Sequence, residues 1–182
     1  MVCVLGVLIS AGGATAAVLA RSGSAANRYG GLPGWLPKAR VPVGRTLTAT
    51  PAHPALGIEG DTVSVRLAGG HVLATAVGPQ VPEEGKVPVP PTSPCTFIVT
   101  LAQGSSGVPL STRAFTIVDE LGRLHRPQVT MLGGEPVPAR LPLGKTVSLK
   151  ISDVLPTGSG TLNWAPVGPK PIASWDFDVE ID

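Results

Sequence analysis

The side chains able to do chemistry in this chain are few and scattered. Its three histidines are His53, His71 and His125. His53 sits between Ala52 and Pro54 in the turn-like run TPAHPALGIEGD, His71 follows Gly69-Gly70, and His125 stands beside Arg126-Pro127. Zinc and copper sites draw ligands from closely spaced motifs such as His-x-His, His-Glu-x-x-His or Cys-x-x-Cys. None of these is present in usable context, nor is a nucleophile elbow, a P-loop or a dinucleotide-binding glycine fingerprint. A copper or zinc centre would have to be assembled by the fold alone, from the three histidines or from histidine with Met131. The residues therefore point away from an enzyme, nominate no catalytic group and call for no cofactor.

Two other places carry charge or surface in a pattern. In the C-terminal run SWDFDVEID, Trp175, Phe177, Val179 and Ile181 fall on one face of a strand, and Asp176, Asp178, Glu180 and Asp182 on the other. Carboxylates about 7 Å apart along a strand face repel one another and want cations nearby. Cross-strand Lys150 or an arginine is the expected answer, and a basic partner is another. Calcium fits less well, because its ligand oxygens fold around one point and a straight strand cannot do that. The second place is GPQVPEEGKVPVPPTSP, residues 78–94, too proline-rich for an ordinary hairpin turn. A polyproline II stretch needs no internal hydrogen bonds and can present Glu83, Glu84, Val87 and Val89 to a partner at low entropic cost. The competing expectation is a strap that crosses from one sheet to the other.

The elements that would position these groups are strands. Gly 23 and Pro 20 make up about 24% of 182 residues, which excludes a coiled coil or helix bundle, while 43% hydrophobic residues exclude a wholly disordered chain. From Arg45 onward the apolar residues recur with period two. DTVSVRL (61–67) joins HVLATAV (71–77) through Gly69-Gly70, a hairpin signal. CTFIVTLA (95–102), LSTRAFTIVD (110–119), LHRPQVTML (124–132), KTVSLKIS (145–152), GTLNWA (160–165) and IASWDFDVEID (172–182) follow. The expected fold is all-β: an immunoglobulin-like antiparallel β-sandwich of about eight or nine strands spanning residues 45–182. Cys95 opens an apolar run and reads as a buried core residue.

Ahead of that domain, residues 1–20 carry no charge and form an apolar helix read as a signal peptide or membrane anchor, with Ser24-Ala25-Ala26 as a cleavage site before Asn27. Uncleaved, this segment would associate the protein with a membrane. No Lys or Arg precedes it while Arg21 and Arg28 follow it, against the usual export orientation, and a longer basic N-terminus is expected to restore that orientation. Residues 27–44, with Pro and Gly but no periodicity, are a linker. The formal net charge of +2 provides no field to hold a polyanion, so nucleic acid is not expected as a partner.

From Cys95 to Asp182 the chain resembles the extracellular immunoglobulin-like family of actinobacterial secreted antigens. The matching pieces are FTIVDELG (115–122), LPLGKTVSLKI (141–151), VLPTGSGTLNWAP (154–166) and SWDFDVEID (174–182). The resemblance implies an exported β-sandwich of unassigned activity and supplies no catalytic residue. The function expected is thus that of an exported, non-enzymatic envelope or secreted module that binds a protein or glycan. Its candidate contacts are Glu83, Glu84, Val87, Val89, Asp176, Asp178 and Glu180. A copper- or zinc-binding carrier outside the cytoplasmic membrane is the alternative.

Overall fold

The computed structural model describes residues 45–82, 88, 90–105 and 107–179. The leader, the linker and the contact candidates Glu83, Glu84, Val87, Val89 and Glu180 lie outside the described residues. Among the described residues eleven strands run in chain order: β1 Thr46–Ala49, β2 Ala55–Ile58, β3 Thr62–Leu67, β4 Gly70–Gln80, β5 Thr92–Ala102, β6 Phe115–Asp119, β7 Leu124–His125, β8 Gln128–Met131, β9 Val147–Pro156, β10 Gly158–Trp164 and β11 Ala173–Val179. One sheet has the order β1-β3-β4-β5-β9-β8 and the other β2-β11-β10-β6-β7. The fold is the expected all-β sandwich.

The period-two pattern explains the packing. On the first sheet Val63, Val65, Val72, Ala74, Phe97, Val99, Leu149 and Ile151 are buried, and on the second Phe115, Ile117, Leu162, Trp164, Trp175 and Phe177 are buried. Phe97 meets Phe177 across the interior with ring centroids 4.7 Å apart and planes at 64°, the edge-to-face geometry aromatic pairs prefer. Trp175 Nε1 donates to the Asp61 carbonyl oxygen at 3.0 Å, tying β11 to the entry of β3. Gly160 lies opposite Phe177 in the β10–β11 register, and a Cβ there would sit 2.5 Å from Phe177 Cζ. Only a residue without a Cβ leaves room for the ring at that position. Cys95 is 1% exposed, as expected, and burial pushes its thiol up to about 11.

Four details depart from the sequence reading. The sheets are not purely antiparallel: β1 runs parallel to β3 and β2 parallel to β11. A parallel pair cannot be closed by a tight turn, and the route from β1 to β3 passes through β2 in the other sheet, which supplies the crossover. These two four-residue strands, joined through the Thr50–His53 turn, are too short for periodicity to reveal. Residues 124–132 are not one strand. Buried Pro127, lacking an N–H for the ladder, divides them into β7 in one sheet and β8 in the other. Residues 110–119 form a strand only from Phe115, because a 3-10 turn over Thr112–Ala114 precedes it, with Ser111 Oγ accepting from Arg113 N.

The fourth departure is the strap. The strands it joins, β4 and β5, are hydrogen-bonded neighbours in one sheet, with Gln80 opposite Thr96. It is therefore a long hairpin connection and not a crossing between sheets. Its far end is held by Thr157, whose Oγ1 donates to Pro90 O at 3.0 Å and whose N donates to Pro91 O.

Candidate functional site

A groove of about 1160 Å³ lies where the start of the strap meets the second sheet. Three structural facts build it. Residues Pro79–Pro82 leave β4 and form one wall. The outward positions of β11 and β10 form the opposing wall, with Asp176 opposite Thr161 and Asp178 opposite Ser159. The end of β6, Val118 to Glu120, and the end of β2, Ile58 and Glu59, complete it.

A cross-strand row runs through the groove from Ile58 to Asp176, Thr161 and Val118. Thr161 Oγ1 donates to Asp176 Oδ1 at 2.9 Å, which fixes the orientation of that carboxylate. Around it stand Glu59, Glu120 and Asp178, with no Lys, Arg or His among the described lining residues. The chemistry offered is a set of carboxylates of one sign beside apolar Ile58, Val81, Val118 and Phe177, suited to a cation that carries aliphatic surface.

Among the described residues the pairing expected for the acidic strand does not occur. Lys150 lies on β9 in the other sheet, outward, between Ile98 and Thr130. It is there because β9 pairs with β5 along ten residues, with Val147, Leu149 and Ile151 turned to the core. On the second sheet the neighbours of Asp176 and Asp178 on β10 are the hydroxyl residues Thr161 and Ser159.

A second charged cluster is structural. Asp119, its side chain 3% exposed, closes the turn between β6 and β7. Its Oδ1 accepts from Leu121 N at 3.0 Å and Arg123 N at 2.9 Å, and its Oδ2 meets Arg123 Nε at 2.7 Å and His125 Nε2 at 3.0 Å. Burial by itself would raise this carboxyl, but the bonds from His125 and Arg123 outweigh it and hold the group well below the usual carboxylate range. His125 Nδ1 lies 4.0 Å from Asp153 Oδ2 on β9, so the cluster reaches from one sheet to the other.

The histidines do not converge. His53 is in the turn between β1 and β2, His71 near the start of β4, and His125 is engaged with Asp119. Among the described residues no group of three or more His, Cys, Asp or Glu is placed to hold a metal ion. Of the residues singled out from sequence, Asp176 and Asp178 line the groove. Ile58, Glu59, Glu120, Ser159 and Thr161 were not foreseen; they come from three separate segments, and no spacing in the chain announces their meeting.

No family model matches the chain. No curated protein matches it. Among solved structures, that of MPT63, a secreted protein from Mycobacterium tuberculosis, is similar, with 17% identity over 69% of this chain and 98% of that chain and a TM-score of 0.46. The two-sheet architecture rests on the strand pairings themselves. Among the described residues no helix is long and apolar enough to cross a membrane.

Proposed function

We propose that the protein is an exported, non-enzymatic module of the envelope or extracellular space that binds the cationic surface of a partner protein in the groove between the strap and the acidic strand. The observation that supports this reading is a wide groove lined by Glu120, Asp176 and Asp178 with no basic residue among its described lining residues. The uncharged apolar leader and the small residues before Asn27 support export. Groups of a single sign attract an oppositely charged segment and speed its encounter, while the apolar side chains cover the stems of lysine or arginine.

Titration of the full chain with a tetralysine peptide tests it. Saturable binding is expected, weakened by added salt and lost in the D176N/D178N variant. Equal binding to that variant would place the contact elsewhere, and the absence of binding would remove the cationic partner.

A further inference from the structure

At the other end of β6 from the acidic groove, a smaller cavity of about 280 Å³ brings together Arg113 and Arg126. Arg113 comes from the 3-10 turn, which Ser111 caps, and Arg126 from the point where Pro127 carries the chain from one sheet to the other. Neither guanidinium has an ion-pair or hydrogen-bond partner among the described residues, whereas the Arg123 side chain is committed to Asp119. No acidic residue is among the described residues that line the cavity.

The apolar residues that line the same cavity are packed into the core. Phe115 is 2% exposed, Val129 is 7% exposed and Pro127 is buried. The Phe115 ring is itself stacked on Trp164, with centroids 6.1 Å apart and planes at 14°. Gln128 adds an amide at the rim. We infer that this pocket binds a small organic carboxylate with a flat apolar body, its anionic end held by Arg113 and Arg126 and its body on Phe115, Pro127 and Val129. Guanidinium forks match carboxylate oxygens in shape as well as charge. A bare anion would leave the apolar floor unused, and a neutral aromatic molecule would leave both guanidinium groups unpaired. The cavity volume is near the lower end for small-molecule sites, which limits the ligand to about one ring. This site is independent of the acidic groove.

The test is an amide-detected NMR titration of the full chain with benzoate, benzamide and inorganic phosphate. Benzoate should give saturable shifts at Arg113, Phe115, Gln128 and Val129 in the low-millimolar range. Benzamide and phosphate should each bind at least about tenfold more weakly, since each lacks one half of the recognition. R113Q and R126Q should each weaken benzoate by about tenfold or more without shifting the Asp176 amide. The inference is overturned if benzoate gives no saturable shift, if benzamide or phosphate binds as tightly, or if R113Q and R126Q leave benzoate binding unchanged.

Discussion

Replacing each of two equally buried tryptophans by phenylalanine separates packing from hydrogen bonding in this core. Trp175 is 1% exposed and Trp164 is 0% exposed, but their indole nitrogens differ. Trp175 Nε1 donates to Asp61 O at 3.0 Å, while Trp164 Nε1 has no partner among the described residues. Both substitutions remove roughly 40 Å³ of side chain, which at about 24 cal/mol per Å³ costs about 1 kcal/mol. W175F also leaves the buried Asp61 carbonyl without its donor, a further cost of about 1–3 kcal/mol, for about 2–4 kcal/mol in all. W164F removes an unpaired buried donor, whose loss gives back about as much as the packing term takes, so its net effect is near zero. In a domain of this size W175F should lower Tm by about 5–12 °C and W164F by less than about 3 °C. Urea denaturation followed by far-ultraviolet circular dichroism measures both. Equal costs for the two variants, within about 0.5 kcal/mol, would refute the reasoning.

Other expectations follow from the same geometry. G160A places a methyl group against the Phe177 ring and Val118 O, and thermal melting should show a loss of about 1–3 kcal/mol. Because the Asp119 carboxyl is held below its ordinary value, the stability it contributes is present above about pH 4 and is lost as pH falls through the folded value. Acid titration should therefore destabilise the wild type more steeply than D119N, and parallel curves would contradict the assignment. The Cys95 thiol, raised to about 11, should resist iodoacetamide at pH 8 until urea unfolds the chain. Its contribution to stability is complete below pH 9 and declines from there to about pH 11, because the unfolded thiol ionises first. Deleting residues 83–87 shortens a connection between neighbouring strands, so Tm should move by only about 2 °C, corresponding to a loop-closure change of about 0.5 kcal/mol.

The strands that periodicity reveals are those with one face buried for five residues or more. DTVSVRL and SWDFDVEID are legible because Val63 and Val65, or Trp175 and Phe177, must alternate with solvated neighbours. β1 and β2 are four residues each, and their parallel pairing is set by contacts with β3 and β11, far along the chain. The acidic face of β11 is visible in the sequence, but its neighbours are not. Nothing in the spacing of Lys150 says that β9 belongs to the other sheet, so the expected salt bridge is replaced by Thr161 and Ser159. Only the β11 side of the groove was legible for the same reason: Asp176 and Asp178 belong to a strong local pattern, whereas Glu59 and Glu120 sit at strand ends that only the topology brings together.

The most direct test of the binding role uses a photo-crosslinking residue at Ser159 of the full chain, inside the groove, and a second at Thr48 on the opposite sheet, each exposed to native envelope extract. A discrete adduct is expected from Ser159 that tetralysine displaces and that D176N/D178N abolishes, with none from Thr48. The same adducts from both positions, or an adduct from Ser159 that survives tetralysine and the double substitution, would contradict it.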